Sequence, residues 1–215
     1  MRNIWKNLAA ATAVCAVFAG APAFAADSEP PKPDGQVADL KITDKDYSIG
    51  PKDAKVVIVE YASLTCPHCA NFHTKEMPPI KKEFVETGKV RFVYRDFPLD
   101  RTALMAAMIA RCAGRDRYFA FLDTFYATQS QWAAASNPQT ALMSLARLGG
   151  MSQKDFEACT RNEEVQNAIL AQRLEASNEF KVKATPTVYV NGASYSGGMT
   201  TGELRTLLNR LLGNQ

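Results

Sequence analysis

Two cysteines separated by two residues, Cys66 and Cys69, are the part of this chain best suited to chemistry. Pro67 favours the first position of a helix, where its missing N–H costs nothing, so Cys66 falls at the N-cap and Cys69 one turn inside. The partial positive charge of a helix N-terminus favours a thiolate over a thiol. We therefore expect Cys66 to be an exposed nucleophile and Cys69 its buried resolving partner. His68, when charged, should stabilise the Cys66 thiolate further, which makes the pair oxidising.

The segments around this pair predict a strand, a helix and a second strand. Residues 56–62 form an apolar run typical of a strand buried on both faces, and the acid Glu60 within it is conspicuous. Residues 67–86 favour a helix that Pro78-Pro79 should break or kink, because proline removes an interior hydrogen bond. Residues 90–95 predict a strand parallel to the first. A C-x-x-C pair at the strand-to-helix junction of such a βαβ unit favours redox chemistry over metal binding.

Other uses of a C-x-x-C pair are weaker alternatives. A zinc site needs four ligands, and His73 would supply only a third, since the sequence has no second C-x-x-C and no H-x3-H. Haem attachment needs a histidine where Ala70 stands. A purely structural disulfide between the two cysteines stays open as an alternative. We expect neither a metal nor a bound cofactor.

The amino terminus has the features of an export signal. Arg2 and Lys6 precede an apolar stretch at residues 8–19, and Ala23-Phe24-Ala25 is a typical cleavage pattern, so residues 1–25 are predicted to be a cleaved signal peptide. The apolar stretch is shorter than the roughly 20 residues of a membrane span. The proline-rich residues 26–36 then predict an extended, mobile spacer, and residues 37–49 leave room for one short strand.

Charge and cysteine count narrow the function further. The whole chain has 25 basic and 22 acidic residues, a formal charge of +3, and removing Arg2 and Lys6 leaves 3 − 2 = +1. This near-neutral balance gives no reason to expect a nucleic-acid partner. Cleavage also removes Cys15 and leaves four cysteines. An even number behind an export signal suggests two disulfides in an oxidising compartment.

Residues 101–180 change character and predict four or five helices with no convincing strand. Apolar residues recur there at helical spacing, and Ser152 and Asn162 are start signals. Cys112 and Cys159 both lie in this region, and we expect them to form a second disulfide. Two buried free thiols are the alternative, because a lone cysteine often behaves as a small hydrophobic residue.

The last segment returns to strand character. Asn191-Gly192 is a strong two-residue turn signal, so residues 188–190 should pair antiparallel with 193–196. Pro186 can stand only at the start of such a strand. A final helix follows, with a capping box formed by Thr200 and Glu203. Its predicted buried stripe consists of Leu204, Leu207, Leu208 and Leu211.

With these features in place, the chain resembles the DsbA family of thiol-disulfide oxidoreductases within the thioredoxin-like superfamily. Cys-Pro-His-Cys is the specific part of the resemblance, because that dipeptide is similar to the oxidising members. The resemblance implies an α/β fold, thioredoxin-like with an inserted all-helical domain. The implied division is a signal peptide (1–25), a leader (26–50), a thioredoxin-like domain (51–100 and 181–215) and a helical insertion (101–180).

The resemblance also implies roles for single residues. Cys66 matches the nucleophile and Cys69 the buried partner, with Pro67 and His68 as the dipeptide that tunes them. Thr185-Pro186 matches a loop whose proline is cis, packs against the active-site disulfide and pairs with a bound peptide. Glu60 matches a buried acid that relays protons to Cys69, the alternative being a strand-end acid that reaches solvent.

The function expected from the residues and the resemblance is oxidation of paired thiols in exported proteins in the periplasm. The implied partners are unfolded or reduced exported proteins and a membrane oxidase, resembling DsbB, that uses quinone to reoxidise the enzyme. Residues 26–55 are too few for a dimerisation domain, so we expect a monomer. The alternatives are an isomerase or reductase of the same fold, and a peptide-binding holdase without redox activity.

Overall fold

The computed structural model describes residues 31–213, so the predicted signal peptide and Cys15 lie outside the described residues. Five strands form a single mixed sheet in the order β1-β3-β2-β4-β5. The strands are Tyr47–Ile49 (β1), Val56–Ala62 (β2), Val90–Asp96 (β3), Thr187–Val190 (β4) and Ala193–Ser196 (β5).

The strand before the cysteine pair lies at the centre of the sheet. β2 pairs in parallel with β3 and antiparallel with β4, and both of its faces are covered. This confirms the predicted buried strand and the parallel second strand. A parallel pair needs a crossover connection, and the segment that begins with the two cysteines supplies it.

That crossover is helical throughout, but its hydrogen bonding shifts twice. It runs through Pro67–Asn71 (α1) and Met77–Ile80 (α2), and a π-helical turn follows each of them. Pro78 and Pro79 have no N–H to donate to the preceding turn, so regular α-helical bonding cannot continue through them. The structure has a π-helical turn on either side of the two prolines where a break was predicted, and the segment stays helical.

The inserted segment contains six helices, one or two more than predicted, because one of them is a single turn. They are Arg101–Cys112 (α3), Arg115–Ala127 (α4), Gln129–Trp132 (α5), Pro138–Leu148 (α6), Gln153–Thr160 (α7) and Glu163–Asn178 (α8). Ser152 and Asn162 cap α7 and α8 through their side chains, as expected.

The insertion shares its hydrophobic core with the sheet. One continuous buried cluster joins Ile58 and Phe92 of the sheet to Phe125 and Leu142 of the insertion. A smaller cluster on the other face of the sheet contains Tyr61 and is closed by the end of α8. The active-site segment is therefore held between the sheet and the insertion.

The carboxyl-terminal hairpin matches the sequence pattern, and the last helix departs from it at one residue. Asn191 and Gly192 both have positive φ, as a two-residue turn of this kind requires. Thr200 and Glu203 form the predicted capping box at the start of Thr201–Leu212 (α9). Leu211, predicted to be buried, is 42% exposed, because the face of α9 that packs on the core runs through Leu204, Leu208 and Leu212, and Leu211 lies at its edge.

Part of the predicted spacer is attached to the sheet. The N–H of Asp34 donates to the carbonyl of Ser194, the carbonyl of Gln36 accepts from the N–H of Ser194, and the Asp34 carboxylate accepts from the N–H of Ser196. This differs from the mobile segment that the composition favours. The added strand-like contacts cover the open edge of β5, which would otherwise present unpaired backbone groups.

Candidate active site

Cys66 occupies the predicted N-cap, with Pro67 at the first helical position. Its Sγ lies 3.2 Å from the carbonyl oxygen of Thr185, to which it donates when the sulfur is protonated. The sulfur is more enclosed than the exposed nucleophile predicted from the sequence, since the residue is only 6% exposed. The enclosure arises because the loop at residue 185 packs directly against the helix start.

The surroundings of Cys66 stabilise its thiolate. A hydrogen bond from the Cys69 thiol, helped by Thr185 and by the backbone N–H groups of Cys69 and His68, lowers the pKa of Cys66 to about 5 against the opposing effect of burial. The Thr185 Oγ1 is buried and has no hydrogen-bond partner among the described residues, so it is free to donate to a thiolate. At neutral pH Cys66 is therefore ionised.

Cys69 has the opposite preference. It is fully buried one turn into the helix, and both sulfurs are free thiols in this structure. Burial, the hydrogen bond it donates to Cys66 and the nearby charge of Glu60 raise its pKa well above the ordinary value. The two sulfurs thus differ in the way an exchange reaction needs, with one stable as a thiolate and the other as a thiol.

The loop opposite the cysteines has the geometry that the resemblance implies. The Thr185–Pro186 peptide bond is cis, and the carbonyl of Pro186 accepts from the N–H of Gly197. Gly198 has a φ of +81°, which strains any residue with a side chain, and a Cβ there would lie 3.1 Å from the Pro186 ring and press on it. The structure brings this loop and Cys66 together.

His68 and Pro67 are exposed beside a shallow groove. The groove has a volume of about 160 Å³ and is lined by His68, Phe72 and Glu76 on one side and by residues 197–200 and Glu203 on the other. Only the backbone N–H of His68 contributes to the lowered pKa of Cys66. His68 is exposed to solvent and lines the groove.

Glu60 is wholly buried beneath the helix, which excludes the strand-end position exposed to solvent. Its Oε2 lies 2.7 Å from Nε2 of His73, which is also buried. Sequence reasoning considered His73 only as a zinc ligand and missed this pairing. The available signal was its spacing, four residues after Cys69, which places both side chains on the sheet-facing side of the helix.

Gln129 is a second residue that sequence reasoning missed. Its buried amide nitrogen donates to the carbonyls of Leu64, at 2.8 Å, and Cys66, at 3.0 Å. These carbonyls belong to the turn that leads into the active-site helix. The short helix α5 thus ties the insertion to the redox loop, and no sequence pattern near residue 129 indicates that contact.

The second cysteine pair lies in the insertion. Cys112 at the end of α3 and Cys159 in α7 are joined by a disulfide with an S–S distance of 2.15 Å. It borders a surface cleft of about 300 Å³ that Arg117 and Asp155 also line. Within residues 31–213, no cluster of three or more histidine, cysteine or acidic side chains could hold a metal ion.

Comparison with known proteins gives the family. A family model described as Thioredoxin matches residues 42–210. A relative from Rickettsia felis named putative protein-disulfide oxidoreductase is 31% identical over 177 residues, which are 82% of this chain and 63% of the relative. The chain therefore spans less than two thirds of the length of this curated relative.

Solved structures agree with the observed architecture. Wolbachia pipientis alpha-DsbA1 superposes with a TM-score of 0.76 at 28% identity, covering 81% of this chain and 94% of that one. A protein-disulfide isomerase from Novosphingobium aromaticivorans superposes with a TM-score of 0.69 at 27% identity, covering 79% of this chain and 99% of that one. The chain belongs to the thioredoxin family, and its fold is that of the DsbA proteins, with a helical insertion in the thioredoxin-like sheet.

Proposed function

We propose that this protein is a thiol-disulfide oxidoreductase that transfers the Cys66–Cys69 disulfide to pairs of cysteines in exported proteins. The observation that carries the proposal is the contrast between the two sulfurs. The pKa of Cys66 is lowered to about 5, whereas that of Cys69 is raised. A dithiol held in this unequal state is stabilised in its reduced form, so its disulfide is a good oxidant.

The reaction balances without a bound cofactor. A substrate thiol loses its proton to solvent, and the thiolate attacks Cys66 Sγ; the Cys66–Cys69 bond breaks, and Cys69 leaves and is protonated with help from Glu60. A second substrate thiolate then attacks the substrate sulfur of the mixed disulfide and expels Cys66 as a thiolate. Two electrons pass from the substrate to the enzyme, which is left reduced.

The loop at Thr185 and Pro186 is the proposed binding site for substrate. It lies against Cys66, and backbone groups at a strand end can pair with an extended peptide as an added strand. The neighbouring groove beside His68 would accept side chains of that peptide. Neither contact needs a fixed sequence in the substrate, as suits an enzyme that acts on many exported proteins.

The proposed location is the periplasm, reached through cleavage of residues 1–25. Among the described residues, no helix has the length and apolar character to cross a membrane. Reoxidation would be carried out by a quinone-linked membrane oxidase resembling DsbB. We propose that the enzyme works as a monomer.

A single-turnover assay tests the activity. The purified oxidised protein is mixed with an equimolar peptide that carries two reduced cysteines, and the peptide disulfide is counted by mass spectrometry. One peptide disulfide should form for each active-site disulfide consumed. Cys66→Ser should abolish the reaction, and an unchanged yield with this variant would contradict the proposal.

An isomerase is the second candidate, because one solved structure with the same fold is named protein-disulfide isomerase. An oxidase should convert a reduced substrate faster than it reshuffles a scrambled one. An isomerase should do the reverse and should act in its reduced form. Insulin reduction in the same preparation measures the reductase activity. A holdase would keep its peptide binding after both active-site cysteines are changed to serine.

A further inference from the structure

Glu60 and His73 form a buried pair. One proton is enough for the hydrogen bond between them, and the pair can bind a second. Their contact atoms, Oε2 and Nε2, lie 2.7 Å apart, so one proton lies between them. The other two polar atoms, Oε1 of Glu60 and Nδ1 of His73, are buried and have no hydrogen-bond partner among the described residues. The pair is thus incompletely satisfied in a site where unpaired polar atoms are costly.

Aromatic rings enclose this pair. The imidazole of His73 stacks on Tyr126 with ring centroids 4.3 Å apart, and its edges meet Phe92 and Tyr94. The hydroxyls of Tyr94 and Tyr126 bond to each other at 2.7 Å. Burial raises the pKa of both phenols well above the ordinary value, so both stay neutral. No basic side chain is among these contacts of the pair.

A net charge on a pair enclosed by aromatic rings carries a large free-energy cost of desolvation. A carboxylate beside a neutral imidazole would leave one uncompensated negative charge in an apolar enclosure. One added proton makes the pair neutral, whether it resides on the imidazole or on the carboxyl group. Burial in this enclosure therefore favours the neutral, proton-bearing form of the pair over the anionic one.

The same pair is coupled to the reacting sulfur. Cys69 lies four residues before His73 on the same helical segment, and the charge of Glu60 contributes to the raised pKa of Cys69. When the disulfide breaks, negative charge appears on Cys69, which is fully buried and cannot draw a proton directly from water. Glu60 is a buried acid whose charge acts on Cys69, and His73 is hydrogen-bonded to it.

We propose that His73 is a positioning residue that, with Glu60, holds the proton delivered to Cys69 during disulfide exchange. The proposal rests on the proposed function above. In the step, the electron pair of the Cys66–Cys69 bond goes to the Cys69 sulfur, one proton passes from the pair to that sulfur, and the pair becomes negative. A proton from solvent then restores the pair, so the proton count matches that of the overall reaction.

The variant that separates proton storage from hydrogen bonding is His73→Gln. A glutamine amide can still donate to Oε2 of Glu60, but it cannot take up a proton at neutral pH. Glu60→Gln removes the other member of the pair. Tyr189→Phe is the control, because it deletes a partly buried hydrogen bond, from Tyr189 to the carbonyl of Phe180 at 2.7 Å, on the opposite face of the sheet.

The readout is the rate of single-turnover peptide oxidation between about pH 5 and 8, taken as the ratio of variant to wild type, so that ionisation of the peptide thiols cancels. For His73→Gln the ratio should lie near one at the acidic end, where solvent protons are abundant. It should fall by about tenfold or more at the alkaline end, as expected for loss of an internal acid. Glu60→Gln should give the same dependence of the rate ratio on pH. The double variant should be no slower than the slower of the two single variants. For Tyr189→Phe the ratio should not change with pH.

A ratio for His73→Gln that does not change with pH would overturn the proposal, because a purely structural defect slows the reaction equally at every pH. Should that variant not fold, NMR of the wild type decides. The His73 ring nitrogens and the Glu60 carboxyl carbon should then titrate together, at a midpoint that differs between the oxidised and reduced forms. Independent titration, or none, would refute the shared proton. Failure of the wild type to oxidise the peptide would instead count against the proposed function.

Discussion

Acidification should destabilise the reduced protein through one group, the Cys66 thiol. Its pKa is about 5 in the folded protein, against an ordinary value of 9.0. Because the folded value is the lower of the two, ionisation stabilises the folded state fully above the unfolded pKa. That contribution is lost as the pH falls toward the folded pKa.

The expected size follows from the same two values. At about pH 7 the thiol is ionised in the folded protein and protonated in the unfolded one, and the pH lies roughly 2 units above the folded pKa. At 1.36 kcal/mol per unit, ionisation then adds about 3 kcal/mol to the free energy of unfolding. The residue is 6% exposed, so solvent screens this interaction little. At about pH 5 less than ~0.5 kcal/mol should remain.

The assay is urea denaturation of the reduced protein beside reduced Cys66→Ser, followed by circular dichroism at each pH. Serine does not ionise in this range, so the difference in unfolding free energy isolates the thiolate, and all other titrating groups cancel. Wild type should lose about 2 kcal/mol relative to the variant between about pH 7 and 5. A difference that stays constant within ~0.5 kcal/mol would refute the reasoning about the helix start and Thr185.

Three further substitutions test other contacts. Gln129→Leu should lower the unfolding free energy by about 1–3 kcal/mol in urea, because it leaves the Leu64 carbonyl without its donor, whereas the Cys66 carbonyl keeps the N–H of Ala70. A loss below ~0.5 kcal/mol would contradict that role. Thr185→Val removes a hydroxyl and should raise the pKa of Cys66, seen as slower alkylation near pH 5, whereas unchanged alkylation would show that the hydroxyl plays no part. Replacing Cys112 and Cys159 with serine should cost up to about 4 kcal/mol of stability by loop entropy, measured in urea without reductant. The titration of Cys66 should not change, and a shifted titration would show that the two cysteine pairs are coupled.

The sequence was most informative where one local rule decides the structure. Pro67 can open a helix but not continue one, so the N-cap position of Cys66 follows from two adjacent residues. Asn191-Gly192 fixes its hairpin because few other residues adopt the positive φ of that turn. The apolar run at residues 56–62 predicted the buried strand, because a strand covered on both faces has few positions for polar side chains.

The sequence was least informative where a side chain meets a distant partner. Glu60 and His73 are 13 positions apart and meet only because the helix folds back over the strand. Gln129 reaches Cys66 across 63 positions through the packing of the insertion. Leu211 fits the apolar stripe of its helix but lies at the edge of the face that contacts the core. Such contacts depend on how helices and strands pack against one another, and the periodicity of residues within one helix or strand does not predict that packing.

The most direct test of the account is the ionisation of Cys66 itself. In reduced protein, the rate of alkylation of Cys66 should be measured against pH, with the modified residue identified by mass spectrometry. The midpoint should lie near pH 5, well below that of an ordinary thiol. A midpoint at about 8 to 9, the range of unperturbed cysteine, would contradict this prediction, because no thiolate would then be stabilised at the helix start.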